Sequence, residues 1–258
     1  GIQRSTEGFS NYQKLARLDV NLSDVVANLE AVGHHLYSFL VTRQKLDITE
    51  ANQSIANAQE KIRLAGEFVD ETGKHRLNQL STDVLSLNQM LGEVESNVES
   101  FSKLFSDIVV KSETDMMSSI RTLTAQAFAI ENALALNDMS LILQDYAVAS
   151  AAMSRFSRSR STEDALSVEK SLVSMKNQLE EVGAHLRTNE GRETFRNLQN
   201  GLKLLQNAFN SMNLQAQNVQ KNVDNIGNRI KSVLANIHAL NVSTTEIRRQ
   251  NGNEMQAV

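Results

Sequence analysis

The chain has 258 residues and a formal net charge of −4, and it contains no Cys, Pro or Trp. The missing Cys excludes disulfides and thiolate metal sites, and the charge gives no reason to expect nucleic acid as a partner. Hydrophobic residues make up 41% of the chain and recur at helical spacing throughout, so the composition predicts an all-α fold.

Apolar spacing predicts six helices separated by short turns. Gly73 is expected to be the C-cap of the second helix, and Asn137-Asp138 to form the turn before the fourth. Ser161 or Thr162 is expected to cap the fifth, because Ser-Thr-Glu-Asp matches a capping box. In the third helix the pattern slips at residues 111–115, as a stutter does, without ending the helix. The helices are predicted at about residues 5–46, 48–72, 74–134, 139–159, 162–189 and from 192 onwards.

The sixth helix carries the longest apolar register in the chain. Its seam needs other helices to cover it along its whole length. The third and sixth helices are much longer than the second, fourth and fifth, and short connections make consecutive helices antiparallel neighbours. The lengths therefore predict two stacked four-helix bundles that share the two long helices. The register comprises Phe195, Leu198, Leu202, Leu205, Phe209, Met212, Ala216, Val219, Val223, Ile226, Ile230, Val233, Ile237, Leu240, Thr244 and Ile247, of which only Thr244 is not apolar.

The slip in the third helix sets the predicted domain boundary. Residues 1–110 with 217–258 form one bundle with a stalk, and residues 111–216 form the other. An internal repeat supports two similar halves, because Gly73-Lys74 and the helix after it align with Gly191-Arg192 and the helix after that. An even number of helices brings both chain ends to the same end of the rod. That arrangement is expected of a module between two transmembrane helices, which lie outside this sequence because no run of about 18 apolar residues occurs in it.

Two short segments at the ends of the predicted hairpins carry a family resemblance. Leu36–Arg43 is followed by Thr49–Ala51, and Ser154–Arg160 is followed by Thr162–Glu163. Together with two long and four short helices, they resemble the helical bimodular sensor domains of bacterial chemoreceptors and sensor kinases. The resemblance implies a periplasmic ligand-binding domain of an inner-membrane receptor. In such a domain the bundle with the stalk is membrane-proximal and the other is membrane-distal.

The same resemblance implies the ligand and the partners. Chemoreceptor members of the family bind small organic acids and transmit the signal by helix displacement, and they are usually homodimers. One alternative is a sensor-kinase domain that docks a periplasmic binding protein. Another alternative, from a different class, is a structural helical rod. Flanking transmembrane segments in the gene would exclude the rod, and their absence would exclude both sensors.

Basic side chains near a bundle interior are the candidate ligand-binding residues, because a guanidinium group binds a carboxylate through two hydrogen bonds. In the second bundle, pairing the helices about Asn137 places Arg155 opposite Arg121, with Arg158 on the same face as Arg155. The sequence thus predicts an anion site formed by three arginines. The alternative is that they are exposed residues near a turn.

In the first bundle the same pairing brings His35 close to Arg63 and Arg229, with Asp83 at the same height. The alternative is a surface ion pair between Arg63 and Asp83 beside a partly buried His35, which stabilises little. The adjacent His34 and His35 point to different faces, so neither a metal site nor a cofactor is predicted. The sequence contains no nucleophile elbow, phosphate loop or zinc-protease motif, so we expect no enzymatic activity.

Overall fold

The computed structural model describes the backbone of residues 1–257, and the side chains of these residues except 244, 245, 247, 248, 251, 252 and 254–257. Over this range the fold is all-helical, without a β-strand. The seam positions Thr244 and Ile247 thus lie outside the described side chains. None of the described helices has an apolar stretch long enough to cross a membrane. The helices are α1 (Ile2–Thr42), α2 (Lys45–Ala65), α3 (Glu71–Lys103), α4 (Val110–Ala129), α5 (Ala133–Ser159), α6 (Thr162–His185) and α7 (Asn189–Ala257).

A π-helix, Leu104–Val109, joins α3 to α4 without a break, so the described residues form six continuous helical segments. The sequence placed the slip in register later, at residues 111–115. A π-turn widens the helix, and this changes which residue faces the core. Ile108, which the apolar spacing of the predicted third helix places in the core, is 38% exposed, whereas its neighbour Val109 is fully buried. The helix does continue through this region, as the stutter predicted.

The first hairpin turns earlier than the sequence predicted. Arg43 adopts the left-handed conformation, with φ of 59°, and its N–H bonds to the carbonyl of Phe39, which ends α1. Asp47, where the sequence placed the break, therefore lies in the first turn of α2. Gly73 is not a C-cap, because it lies inside α3 and donates its N–H to Asp70 Oδ1 at 2.8 Å. Asp70 thus caps the start of α3.

The turn between α4 and α5 also lies earlier than predicted, just before Asn132 instead of at Asn137-Asp138. Glu131 is left-handed, with φ of 54°, and Asn132 is buried. The Asn132 side chain accepts a hydrogen bond from the Ala135 N–H at 3.2 Å and donates one to the His185 carbonyl at 2.8 Å. Leu134 misled the prediction, since it extends the apolar register although its side chain is exposed.

Other parts of the prediction agree with the structure. Ser161 is the N-cap of α6, and its hydroxyl accepts a hydrogen bond from the Asp164 N–H at 3.1 Å. The α7 register is buried at most of its described positions, with Phe195, Val223 and Ile230 only partly covered. Hydrophobic spacing therefore identified the faces of the helices better than their ends.

The chain divides into two compact units. Unit 1 comprises Gly1–Ser96 and Gln220–Val258, and unit 2 comprises Asn97–Val219. In unit 1, α2 and α3 are linked by reciprocal hydrogen bonds between the Gln59 amide and Ser81. The unit 1 core contains Leu22, Val25, Leu29 and Val32 of α1, Ile55, Ala58 and Ile62 of α2, Leu80, Val84, Leu87 and Leu91 of α3, and Ile226, Val233 and Ile237 of α7.

Three phenylalanines from different helices form the centre of unit 2. Phe156 of α5 packs edge-to-face against Phe101 of α3, with ring centroids 5.4 Å apart, and against Phe209 of α7 at 5.6 Å. Phe156 and Phe101 are fully buried and Phe209 nearly so. The surrounding core includes Met116, Ile120 and Leu123 of α4, Met139, Ile142 and Met153 of α5, Val168, Leu172, Met175 and Leu179 of α6, and Leu198, Leu202, Leu205 and Met212 of α7.

Two glycines of α3 are expected to respond oppositely to alanine. Gly92 has no atom within 4 Å of a Cβ, so Gly92→Ala should raise the free energy of unfolding by about 0.5–1 kcal/mol. A Cβ on Gly73 would lie 2.6 Å from Val69 Cβ, so Gly73→Ala should lower the free energy of unfolding. Urea denaturation measures both variants. Equal stabilisation by the two would contradict the close approach of Gly73 to Val69.

Candidate functional site

A groove runs along α4 beside α5 in unit 2. Its volume is about 490 Å³. Glu113, Met117 and Arg121 lie four residues apart, so they share one face of α4, and Tyr146 of α5 stands beside them. The remaining lining residues are Val110, Thr114, Ser118 and Thr122.

Glu113 places a partly buried carboxyl group in this groove. Its Oε2 accepts a hydrogen bond from the Ser150 hydroxyl at 3.3 Å, whereas Oε1 is buried and has no hydrogen-bond partner among the described residues. Burial raises the pKa of Glu113 above its ordinary value, and the hydrogen bond from Ser150 opposes this shift. A buried carboxyl oxygen without a hydrogen-bond partner favours the neutral, protonated form of the group, in the same direction as burial itself.

Tyr146 connects the two helices that form the groove. Its hydroxyl donates a hydrogen bond to the backbone carbonyl of Glu113 at 2.9 Å. Burial raises the pKa of Tyr146, the charge of Glu113 raises it further, and the charge of Arg121 lowers it. The Arg121 guanidinium is thus within electrostatic reach of the phenol. Arg121 is exposed and forms no ion pair with any described residue.

An apolar groove continues along α4 from the same arginine. Its volume is about 570 Å³, and Met117 and Arg121 line both grooves. Phe128 of α4 and Leu143 of α5 form much of its wall. The site therefore combines an exposed cation, a carboxyl group and a phenol with a hydrophobic surface, which is a typical composition for a small-molecule site. It offers one carboxylate and no histidine, which does not suit a metal ion.

The structure does not bring the three predicted arginines together. Arg155 Nε lies 3.9 Å from Asp164 Oδ1. The pKa of Asp164 is lowered mainly by the hydrogen bond from Ser159, and the charges of Arg155 and Arg158 contribute. Arg155 lies about 13 Å further along α5 than Tyr146, since each residue adds about 1.5 Å. The early turn at Asn132 causes this difference, because it pairs α5 with a different part of α4.

In unit 1 the three predicted basic residues are each paired with a different acid. His35 Nδ1 lies 3.2 Å from Glu50 Oε2, and Arg229 Nη1 lies 3.3 Å from Asp83 Oδ1. Arg63 forms two hydrogen bonds, of 2.6 and 2.9 Å, with Glu60 on its own helix.

The alternative interpretation proposed an ion pair between Asp83 and Arg63. In the structure Asp83 pairs with Arg229 instead. Among the described residues, these contacts leave no group of unpaired cations for an organic acid at this place.

Sequence reasoning missed Glu113 and Tyr146 as site residues. Glu113 falls within the polar segment 111–115, where the apolar register slips, and Tyr146 continues the apolar spacing of the predicted fourth helix, which favours a core position. Asn132 was the signal that could have found them. An N-cap at Asn132 pairs Tyr146 with the Glu113–Met117 turn of α4 instead of with residues near Ala129.

Glu113→Gln is expected to change how stability depends on pH. Because the folded-state pKa of Glu113 is raised, the unfolded chain loses this proton first as pH rises. The free energy of unfolding therefore falls between the ordinary carboxyl pKa and the raised one, and it stays lower above that interval. Glutamine does not titrate and so removes this loss. The free energy of unfolding of the variant, relative to that of the parent, should therefore be higher at pH 8 than at pH 4. Urea denaturation at both values measures the difference, and a gain at pH 4 instead would contradict it.

Comparison with known proteins identifies no relative. No protein-family model matches the chain, and no curated protein or solved structure shows significant similarity to it. The groove of Glu113, Arg121 and Tyr146 is therefore the basis on which a function is inferred.

Proposed function

We propose that this chain is the periplasmic ligand-binding domain of a transmembrane chemoreceptor and that its groove in unit 2 binds small organic acids. The observation that carries the proposal is the Arg121 guanidinium, which forms no ion pair with any described residue and lies in a groove lined by Met117 and Tyr146. An arginine without an ion pair beside an apolar wall is suited to binding a carboxylate.

The ligand carboxylate binds Arg121 through two hydrogen bonds, and its hydrocarbon part lies against Met117. Glu113 and Arg121 are about 12 Å apart along the axis of α4. Met117 lies between them on the same face of α4, so a compact acid that binds Arg121 lies over this side chain. The groups bind and orient the ligand, and we assign them no catalytic step.

Signalling follows from the connection of α4 to long helices. We propose that the units are four-helix bundles stacked end to end, which share α7 and the continuous segment formed by α3, the π-helix and α4. Residues 1–110 with 217–258 are then membrane-proximal, and residues 111–216 are membrane-distal. A ligand that draws α4 towards α5 shifts the long helix by about 1–2 Å, and the homodimer transmits the shift to flanking transmembrane helices.

Thermal unfolding with a panel of acids tests the proposal. Acetate, succinate, malate and citrate are compared with glucose and putrescine at the same ionic strength. A ligand that binds only the folded chain, at about 100 times its dissociation constant, adds about 2.7 kcal/mol to the free energy of unfolding. We expect at least one acid to raise the melting temperature by several degrees, and no shift with any acid would contradict the proposal.

A second candidate function is docking of a periplasmic binding protein, as in a sensor kinase. Large apolar side chains near the α4–α5 turn favour it, because Phe128 is 75% exposed, Leu134 57% and Ile130 40%. In this case the acids cause no thermal shift, and Phe128→Ser with Leu134→Ser abolishes signalling by the full receptor. Normal signalling by that double variant would exclude docking at this surface.

A further inference from the structure

Three metal-ligating side chains converge at the turn between α1 and α2 in unit 1. They are His35, Asp47 and Glu50. One ligand atom from each lies within 4.8 Å of the others, and His35 Nδ1 is 3.2 Å from Glu50 Oε2. The groove in unit 2 does not involve these residues, and the sequence predicts no metal site because only the adjacent pair His34 and His35 was considered as metal ligands.

The backbone positions these groups for local reasons. The left-handed Arg43 reverses the chain, so the end of α1 packs against the start of α2. Asp47 and Glu50 are three residues apart and therefore lie on one face of α2, towards His35. The Thr42 hydroxyl donates a hydrogen bond to Asp47 Oδ2 at 2.7 Å, which orients this carboxylate. Such a bond to a ligand side chain is typical of the surroundings of protein metal sites.

We propose that His35, Asp47 and Glu50 bind a divalent transition-metal ion of the Zn²⁺ type. An imidazole nitrogen with two carboxylates suits Zn²⁺, Co²⁺ or Ni²⁺, whereas Mg²⁺ and Ca²⁺ prefer oxygen ligands alone. Ligand atoms at about 2.0–2.2 Å from a tetrahedral Zn²⁺ lie about 3.3–3.6 Å apart, so ion binding must draw the cluster together by up to about 1.5 Å.

The charge balance within the cluster also favours a cation. Two carboxylates balance the two charges of the ion, and His35 is a neutral ligand in this form. The nearest lysine in sequence, Lys45, is directed elsewhere, because its side chain is 85% exposed and its Nζ lies 3.9 Å from Glu95. The ion joins two ligands of α2 to one of α1 and so stabilises the hairpin, and water fills its remaining positions.

Binding of zinc to tag-free protein tests the proposal. Isothermal titration with ZnCl₂ is expected to give one site per chain, and CoCl₂ should produce visible absorption bands of a bound ion. His35→Ala should raise the dissociation constant for Zn²⁺ by at least about tenfold, as should Glu50→Gln. His34→Ala is the matched control, because the exposed His34 has its ring centroid 5.9 Å from that of His35 but does not belong to the cluster.

Each outcome decides the question. Equal weakening by His34→Ala and His35→Ala, or no zinc binding below millimolar concentration, would overturn the site. Equal affinity for MgCl₂ would overturn the assignment to a transition metal. If His35→Ala does not fold by circular dichroism, Glu50→Gln at its partly exposed position decides instead, and an unchanged zinc affinity in that variant rejects the proposal.

Discussion

Phe156→Ala is expected to lower the free energy of unfolding of unit 2 by about 3–5 kcal/mol, the usual cost of removing a buried phenylalanine. Phe156 is fully buried and packs edge-to-face against two other rings, so its loss leaves a cavity and removes both aromatic contacts. Urea denaturation followed by circular dichroism measures the change.

The matched control is Phe128→Ala, which removes an equal side chain that is 75% exposed. This variant should change the free energy of unfolding by no more than about 0.5 kcal/mol. A similar loss from both variants, or a loss of less than about 1 kcal/mol from Phe156→Ala, would show that Phe156 does not lie at the centre of unit 2.

Asn132→Ala is expected to lower the free energy of unfolding by about 2–4 kcal/mol. It removes the N-cap of α5 and leaves the His185 carbonyl without its donor. Asn132→Asp keeps the capping oxygen but not the donor, so its cost should be smaller than that of alanine. The same denaturation experiment measures both variants.

Asn137→Ala distinguishes the two positions of this turn. The sequence pattern placed the turn at Asn137, whereas the structure places this residue exposed inside α5. Asn137→Ala is therefore expected to change the free energy of unfolding by no more than about 0.5 kcal/mol. If Asn137→Ala lowered the free energy of unfolding more than Asn132→Ala, the turn would lie at the position that the sequence predicts.

The all-α fold and the apolar seam of α7 could be predicted because side-chain periodicity reports directly on which face is buried. Leu198, Leu202 and Leu205 illustrate this, since all three are buried at the expected spacing. Helix ends were less predictable. They depend on left-handed residues such as Arg43 and on side-chain caps such as Asp70, and neither alters the apolar period.

The candidate site was less predictable than the fold, because pairing residues across a hairpin magnifies an error in the turn. Moving the turn from Asn137 to Asn132 separates Arg155 from Arg121 and brings Tyr146 to Glu113. The π-helix adds a second difference, because it buries Val109 instead of Ile108. Arg121 lines a groove, but its neighbours there differ from the predicted ones, because they depend on backbone features that apolar spacing does not encode.

Calorimetric titration of an organic acid into three proteins tests the central claim that the Arg121 groove is a carboxylate site. The acid is the one with the largest thermal shift, and the proteins are the parent chain, Arg121→Ala and Arg158→Ala. We expect Arg121→Ala to weaken binding by at least about 30-fold, or about 2 kcal/mol, because the carboxylate loses its charged partner. Arg158→Ala removes an exposed arginine near Asp164 and should leave the affinity unchanged. Unchanged binding by Arg121→Ala, or its loss in Arg158→Ala, would contradict the account.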